Sequence, residues 1–416
     1  MMFFTRMFNC LVLSVLLLLS ACGGSSSTPA PVADAKRGTL VSITSSTTIA
    51  LNTVNSYITS LANSGINTGV LTGNRYAISV QRIVYKTVTP DGRLIDVSGV
   101  LAFPIKAAGA SSPMLSYQHG TIFQDSEAPS MRPDTSLDPV MTVMAGSGFI
   151  VAMPDYIGYA TSTNEIHSYV NAQSLAAATV DMLRAARQLL LDKNIASNGQ
   201  LFLAGYSEGG YATLATQKEM EQNLAAEFPL TASMPGAGPY DMSGTAQYLV
   251  GLASNPYPEL IGFVFKSYDY WYGWNSINSA FQSPYNNVVA TDFDGRMTGM
   301  NIHAALIADT ATLFNSTFRG DFLGSGLAAI KADLAKNDIY NWAPKIPTRL
   351  FHGQDDTMVP YANTTTAQTA MTAAGSTAVT LVNCTTSVSV PRDHIACSLD
   401  YLSQGLGWLV PMALNL

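Results

Sequence analysis

Apolar and polar residues alternate along the chain in patterns that predict strands separated by helices. Residues 78–87 and 94–103 alternate like the arms of a β hairpin joined by a turn at 90–93. The clearest helix is 171–192, with Leu, Val and Ala along one side. Strands alternating with helices predict an α/β fold, a mostly parallel sheet covered on both faces, with ligands at the carboxyl ends of the strands. The other predicted strands are 114–118, 149–153, 200–204, 230–234, 348–351 and 378–382.

Two segments depart from this alternation of strands and helices. Residues 244–341 hold several short helical patterns and no convincing core strand, which predicts a cap inserted into a body spanning 38–416. The aromatic residues of the cap either line an apolar cleft or form its own core, and the second role is favoured for most of them. Residues 36–74 are predicted to be helical. The aromatic residues concerned are Phe263, Phe265, Tyr268, Tyr270, Trp271, Tyr272 and Trp274.

A Gly-x-Ser-x-Gly motif follows the apolar run at 201–204. Ser207 lies between Gly205 and Gly209, and helix-forming residues continue from 211 to 220. This is the context of a nucleophile elbow, in which a sharp turn between strand and helix lifts a serine above the sheet edge. The motif therefore predicts Ser207 as a nucleophile, beside a helix N-terminus that favours developing negative charge.

The histidine partner of Ser207 is predicted by elimination. In the elbow architecture the acid and then the histidine follow the serine in chain order. Two histidines precede Ser207, one lies in the predicted cap, and one precedes the best acid candidate. The remaining histidine, His394, lies near the C-terminus, where the last loop of the fold is expected. The five histidines are His119, His167, His303, His352 and His394.

The acid is expected in the loop after the apolar run at 348–351. Asp356 is the favoured residue because of its spacing before Val359 and Pro360, and Asp355 is the alternative. His352, at the strand end, is expected to pack or hydrogen-bond locally.

The three side chains supply complementary chemistry. A serine hydroxyl becomes a good nucleophile only when a base takes its proton. His394 would be that base and would later protonate the leaving group. Asp356 would hold the imidazole tautomer and stabilise the imidazolium.

An oxyanion hole requires two backbone N–H groups near the serine. Glu208, directly after the nucleophile, supplies the first. The second is expected after the predicted strand 114–118, where His119-Gly120 leads to Thr121; Thr121 is the favoured donor and Gly120 the alternative. The other interpretation of His119-Gly120 is a simple strand-end turn.

The N-terminus has the features of an export signal. Residues 1–21 contain Arg6 and an apolar run at 11–19, which is too short to span a bilayer as a stable helix. The run ends before Cys22 in a sequence that resembles a bacterial lipobox, so Cys22 is the predicted lipid-bearing residue. Residues 22–37 form a predicted flexible tether. We expect an exported lipoprotein anchored to the cell envelope at the periplasmic face or cell surface; a secreted protein without lipid is the alternative.

The remaining cysteines agree with export. Cys10 would leave with the signal, and Cys384 and Cys397 would remain in an oxidising compartment, on either side of His394. Paired, they would form a disulfide stabilising the fold by about 3 kcal/mol; two free thiols are the alternative. No cysteine or histidine spacing indicates a metal site.

Composition narrows the possible partners. The chain has 416 residues, 47% of them hydrophobic, which is ample for a large core. Its net charge is −7, and without a Lys/Arg run nucleic acid is not an expected partner. The oligomeric state is not indicated.

These motifs resemble those of the α/β-hydrolase superfamily, and most closely the secretory lipases of the yeast lipase A type. The resemblance implies hydrolysis of small-molecule or lipid-like carboxylic esters, no cofactor, and a helical cap inserted after the strand that follows the elbow. Asp155 and Tyr156 are interpreted as structural. The matching motifs are Ser116-Tyr117-Gln118-His119-Gly120-Thr121, Pro154-Asp155-Tyr156-Ile157-Gly158-Tyr159, Gly205-Tyr206-Ser207-Glu208-Gly209-Gly210, Gly236-Ala237-Gly238-Pro239-Tyr240-Asp241 and the Asp356 loop.

Two other functions stay open at this level. A serine peptidase of the prolyl oligopeptidase type shares the elbow and the order of the loops, although too few residues precede the body to build its usual propeller. A non-catalytic binding lipoprotein is the other alternative, and the complete set Ser207, Asp356 and His394 speaks against it.

Overall fold

The computed structural model describes residues 36–385 and 392–416. The predicted export signal, Cys22 and most of the predicted tether lie outside the described residues. No helix within the described ranges is both long enough and apolar enough to cross a membrane.

One sheet runs through the described part of the chain, with nine strands in the order β1-β2-β3-β5-β4-β6-β7-β8-β9. The strands from β5 to β9 in this order pair in parallel, and the β1-β2-β3-β5 edge is antiparallel. The predicted mostly parallel α/β sheet is confirmed. The strands are β1 (Leu40–Ile49), β2 (Ile78–Val88), β3 (Leu94–Pro104), β4 (Ser111–Gln118), β5 (Ile150–Pro154), β6 (Ala196–Tyr206), β7 (Ala232–Gly236), β8 (Thr348–His352) and β9 (Val379–Asn383).

Helices cover the sheet, and the body helices have readable sequence signals. The longest, α3, follows Asn171, whose side chain accepts a 3.0 Å hydrogen bond from the Ser174 N–H and so caps the helix. The predicted helix 171–192 is confirmed. The body helices are α1 (Leu51–Asn63), α2 (Pro139–Gly146), α3 (Ala172–Asp192), α4 (Glu208–Asn223), α13 (Ala362–Ala373) and α14 (His394–Leu409).

The interval between β7 and β8 contains, in the described chain, helices and two isolated bridges but no strand. Phe263, Phe265 and Tyr268 are buried in a core cluster that this interval shares with body residues such as Tyr169, whereas Tyr270 is exposed. The role favoured for most of the seven aromatic residues, in a core of the cap's own, stays a prediction. The helices are α5 (Met242–Gly251), α6 (Pro258–Tyr272), α7 (Ile277–Ala280), α8 (Tyr285–Thr291), α9 (Gly299–Ala305), α10 (Thr310–Leu313), α11 (Ser316–Leu323) and α12 (Ala328–Ala335).

The helical prediction for residues 36–74 is wrong over its first part, where β1 pairs antiparallel with β2. Most β1 side chains are exposed, and Ser and Thr fill most of the strand, so no apolar face marks it. Pairing with β2, a tertiary effect, decides the conformation of these β-prone residues. Helix α1 follows as predicted.

The parallel register brings four strand ends to one edge of the sheet. Gln118 of β4 is level with Gly205 of β6, and Gly236 of β7 lies between Tyr206 and Phe351. The loops after β4, β6, β7 and β8 therefore meet at one place, where an open α/β sheet binds its ligands.

Candidate active site

Ser207 occupies the tight turn between β6 and α4. Its backbone has φ 62° and ψ −125°, in the left-handed half of the map that non-glycine residues rarely enter. Glycine is needed on both sides, because a Cβ on Gly205 would overlap the Gly209 carbonyl and a Cβ on Gly209 the Gln118 carbonyl. The predicted turn from strand to serine to helix is therefore present.

A chain of hydrogen bonds joins the three side chains singled out in the sequence. The Ser207 Oγ lies 2.8 Å from His394 Nε2, and His394 Nδ1 lies 2.6 Å from Asp356 Oδ2. Because a carboxylate can only accept, Nδ1 carries the hydrogen, which leaves the Nε2 lone pair to accept from the serine hydroxyl. This is the geometry in which an imidazole can take the proton of a serine that attacks a carbonyl carbon.

The Asp356 carboxylate is buried and accepts four hydrogen bonds. Oδ1 accepts the backbone N–H groups of Met358 and Val359, each at 2.9 Å, and Oδ2 accepts from His394 and from His352 Nε2, the latter at 3.0 Å. Burial by itself would raise the pKa of Asp356, but the hydrogen bonds from His352 and His394 outweigh it and hold that pKa well below its usual range.

The alternative acid, Asp355, points elsewhere. It is exposed and pairs with the Arg392 guanidinium at 3.1 Å. The expectation that His352 bonds locally is met, since its partners follow it in the chain, but one of them is the carboxylate of Asp356 itself. Sequence reasoning missed this link because it depends on how the loop after β8 turns back on its own strand end.

The loop after β4 packs against the elbow. A Cβ on Gly120 would lie 3.2 Å from the Tyr206 carbonyl oxygen, so the His119-Gly120-Thr121 segment passes directly beside Ser207. The Thr121 hydroxyl is 3.0 Å from the Tyr169 hydroxyl. The N–H of Glu208 lies in the first turn of α4. The two predicted oxyanion donors, Thr121 and Glu208, thus belong to segments that meet at Ser207.

The segment after β5 supports that loop. The Tyr156 hydroxyl donates to the His119 carbonyl at 3.2 Å, and the Tyr159 hydroxyl donates to the Ile122 carbonyl at 2.6 Å. Asp155 is buried, accepts the Ser130 N–H at 2.8 Å and also accepts the Ser130 hydroxyl. Burial raises the pKa of Asp155. These contacts agree with the structural interpretation of Asp155 and Tyr156.

Glu208 forms a buried pair with His167 that sequence reasoning did not find. Their side chains meet at 2.7 Å between Oε1 and Nε2, and the other ring nitrogen of His167 lies 2.7 Å from the Ile157 carbonyl oxygen. Both ring nitrogens therefore face oxygens that accept, so the pair must share a proton, either on the imidazole or on the carboxyl group. The pair fixes the side chain of the residue directly after Ser207.

Aromatic rings connect the interval between β7 and β8 to this region. Phe263 of α6 stacks on Tyr169 with ring centroids 4.5 Å apart, and Phe123, just beyond Thr121, lies 5.4 Å from Phe263. Phe293 lies 5.1 Å from Phe263 and 6.2 Å from Phe123. The loop that carries Thr121 therefore packs against apolar rings from the predicted cap.

A disulfide lies beside His394. Cys384 follows β9 and Cys397 belongs to the first turn of α14, and the two are joined with Cα atoms 5.7 Å apart. The predicted pairing is confirmed, and the alternative of two free thiols is wrong. The bond closes a short loop that contains His394 and so restricts where α14 can begin. Residues 386–391 of that loop lie outside the described residues.

Within residues 36–385 and 392–416, no group of three or more His, Cys, Asp or Glu side chains is placed to hold a metal ion.

Comparison with known proteins identifies the family. The family model described as Secretory lipase matches residues 134–411. No curated protein sequence matches the chain. Among solved structures, the rice cell wall degrading esterase LipA from Xanthomonas oryzae is 27% identical, covering 89% of this chain and 96% of that one with a TM-score of 0.76. A ligand-bound form of it is 28% identical with a TM-score of 0.77, covering 89% of this chain and 97% of that one.

A more distant solved structure shares the fold. Candida antarctica lipase A is 16% identical, covering 89% of this chain and 83% of that one with a TM-score of 0.62. The nine-stranded sheet of the described residues, the family match and these structural neighbours agree. The chain belongs to the secretory lipase family, has the α/β-hydrolase fold and is a carboxylic ester hydrolase.

Proposed function

We propose that the protein hydrolyses carboxylic esters through an acyl-enzyme on Ser207, with His394 as the general base and acid and Asp356 as the residue that orients it. The observation that carries the proposal is the unbroken hydrogen-bonded chain from Ser207 Oγ through His394 to Asp356. The strained backbone of Ser207 supports it, because residues held in rarely populated backbone conformations often lie at functional sites.

The chemistry proceeds in two halves. Ser207 Oγ attacks the ester carbonyl carbon while its proton passes to His394 Nε2, and the tetrahedral intermediate collapses as His394 returns that proton to the departing alcohol. Water then attacks the Ser207 acyl ester, with His394 again taking a proton. The second intermediate collapses to release the carboxylic acid and the serine hydroxyl. Asp356 stays ionised throughout and stabilises the imidazolium that forms in each half.

The negative oxygen of both intermediates needs backbone donors. We assign this role to the N–H groups of Glu208 and Thr121. The position of Glu208 at the start of α4 supports the first assignment, because helix N-terminal N–H groups favour negative charge. The packing of Gly120 against the elbow supports the second.

The helices of residues 244–341 are proposed to cap the site. The stacking of Phe263 on Tyr169 and its neighbour Phe123 supports this role, since these contacts join the insertion to the Thr121 loop. The substrate class proposed is a small or lipid-like ester whose acyl chain lies against apolar surface.

Export and anchoring form a separate part of the proposal. Membership of a secretory lipase family agrees with export, and the lipobox-like sequence before Cys22 supports a lipid anchor in the cell envelope. Metabolic labelling with a clickable fatty acid, followed by in-gel detection, tests the anchor. Incorporation into the parent chain but not into Cys22→Ser is expected; equal labelling of both would exclude Cys22.

The catalytic proposal is tested by covalent labelling and a matched substrate panel. A fluorophosphonate probe should label Ser207, located by peptide mass spectrometry, because only an activated serine reacts. Simple esters should turn over, and peptide amides with the same acyl group should not. Amide cleavage at comparable rates would favour the peptidase alternative, and the absence of both labelling and turnover would favour the binding lipoprotein.

A further inference from the structure

Two histidines share one oxygen of the Asp356 carboxylate. His394 Nδ1 lies 2.6 Å and His352 Nε2 lies 3.0 Å from the same Oδ2 atom. His352 is fully buried at the end of β8, four residues before Asp356. The second imidazole has no part in the mechanism described above, which uses only His394.

The surroundings of His352 fix where its hydrogen lies. Nε2 faces both Asp356 Oδ2 and the Val359 carbonyl oxygen at 2.9 Å, and both atoms only accept, so Nε2 must carry the hydrogen. Nδ1 lies 2.5 Å from the Thr364 hydroxyl, which can donate to it. A neutral imidazole therefore satisfies every contact: Nε2 donates toward Asp356 and Val359, and the Thr364 hydroxyl donates to Nδ1.

The other carboxylate oxygen is fully occupied by two backbone N–H groups from Met358 and Val359. Among the described residues, His352 and His394 are thus the two side chains that donate to the Asp356 carboxylate. Backbone donors on Oδ1 and an imidazole on Oδ2 hold the carboxylate in one rotamer. That rotamer decides where His394 Nδ1 must lie, and hence where Nε2 meets Ser207.

We propose that His352 is a positioning residue for ester hydrolysis: it holds the Asp356 carboxylate toward His394 and limits how strongly that carboxylate stabilises the His394 imidazolium. This inference rests on the proposed function of Ser207, Asp356 and His394. His352 acts through Asp356 and does not reach the reacting atoms.

The electrostatic consequence has a definite sign. A donor on Oδ2 draws negative charge away from the bond to His394, so the carboxylate stabilises the His394 imidazolium less strongly. Loss of the donor should therefore move the acidic limb of kcat/KM to higher pH. A purely structural loss would reduce the plateau without moving the limb.

Other ionisable side chains lie near His352, Asp356 and His394, and the substitutions that test the proposal leave them unchanged. Tyr206 of β6 lies 5.1 Å from the His394 ring, and burial raises its pKa. Tyr361 lies 5.7 Å from the His352 ring and donates to Asn383. Asp393 caps α14 through the Ala396 N–H, while Asp355 pairs with Arg392 at the surface. None of these residues is changed by the substitutions below.

Two substitutions at one position separate the roles of His352. In His352→Gln the amide nitrogen can occupy the place of Nε2 and still donate to Asp356. In His352→Asn the shorter side chain reaches only the place of Nδ1, beside Thr364. Both replacement side chains are polar and no larger than histidine. The free energy of unfolding in urea therefore measures how far each substitution destabilises the fold, separately from its effect on catalysis.

The measurement is the pH profile of kcat/KM for a 4-nitrophenyl ester, with the full-length protein in detergent. His352→Asn should lower the plateau about 10-fold, equivalent to about 1.4 kcal/mol, through kcat rather than KM, and should move the acidic limb to higher pH by several tenths of a unit. His352→Gln should restore the parent limb and most of the plateau. Equal profiles for Asn, Gln and parent would overturn the inference, as would a lower plateau in both variants with an unmoved limb.

Failure of this inference differs from failure of the proposed function. If Ser207→Ala retains ester hydrolysis, the whole assignment of the site is wrong. If Ser207→Ala is inactive while the His352 variants show the parent limb, only the role of His352 is wrong. Should His352→Asn unfold, His352→Leu provides the second variant, since it keeps apolar bulk at this buried position, removes the donor to Asp356 and is expected to shift the limb in the same direction.

Discussion

The hydroxyl of Tyr206 donates a 2.8 Å hydrogen bond to the backbone carbonyl of His394. The residue before the proposed nucleophile thus holds the start of the helix that carries the proposed base. Their rings also lie 5.1 Å apart. Ser207 of the elbow and His394 are 187 positions apart in sequence. Their segments are therefore joined twice, by the bond from the Tyr206 side chain to the His394 backbone and by the contact between the Ser207 and His394 side chains.

Tyr206→Phe should lower kcat several-fold with little change in KM. The phenyl ring keeps the packing, but the buried His394 carbonyl loses a donor, which costs about 1 kcal/mol of stability. Steady-state kinetics and urea unfolding measure the two effects. An unchanged kcat in a variant that is destabilised as expected would show that this bond supports the fold alone.

Gly209→Ala should destabilise the protein by about 2 kcal/mol or more, because its Cβ would overlap the Gln118 carbonyl and force the elbow away from β4. Gly407→Ala is the matched control: Gly407 also lies in a helix, but a Cβ there meets nothing within 4 Å. The control should gain up to about 1 kcal/mol from helix propensity. Urea unfolding of both variants checks this, and equal effects would contradict the close packing of the elbow.

The elbow illustrates what sequence can predict. Its conformation is encoded within a few residues, since glycines are required wherever backbone crosses backbone, and the order of Ser207, Asp356 and His394 follows from the order of the strands. The choice of Asp356 over Asp355 also followed from local spacing. By contrast, β1 escaped prediction because its Ser and Thr side chains are mostly exposed and its conformation depends on pairing with β2.

The supporting polar contacts were beyond sequence reasoning for a different reason. His167 and Glu208 are 41 positions apart, and His352 reaches Asp356 only because the loop after β8 folds back. A single histidine in a sequence more often makes a local hydrogen bond than takes part in a functional site. Only the three-dimensional meeting of the side chains distinguishes these histidines from His303, which pairs with Glu259 and is half exposed.

His167→Leu should cost about 3–5 kcal/mol, because it leaves the buried Glu208 carboxyl group without its partner. The double variant His167→Leu/Glu208→Leu should recover a large part of that loss, since no buried charge then remains. The free energies of unfolding in urea of the parent, both single variants and the double variant together form a double-mutant cycle. Additive losses would show that the two side chains do not share a proton as inferred.

The stability of the protein should fall on acidification partly through Asp356. Its folded-state pKa is lowered, so its contribution is fully present above its unfolded pKa of about 3.9 and is lost as the pH falls toward the lower folded pKa. Thermal unfolding between pH 6 and pH 3 should show a smaller decrease in Tm for Asp356→Asn than for the parent. A decrease of the same size in both would place the acid sensitivity elsewhere.

The most direct test of the account compares the full-length protein with Ser207→Ala on 4-nitrophenyl esters of increasing acyl length. We predict turnover by the parent, with an optimum acyl length that reports the size of the acyl site. In Ser207→Ala, which is expected to fold, kcat should fall on the order of 10⁴-fold or more. Ester hydrolysis that survives Ser207→Ala would contradict the proposed acyl-enzyme and the site built around it.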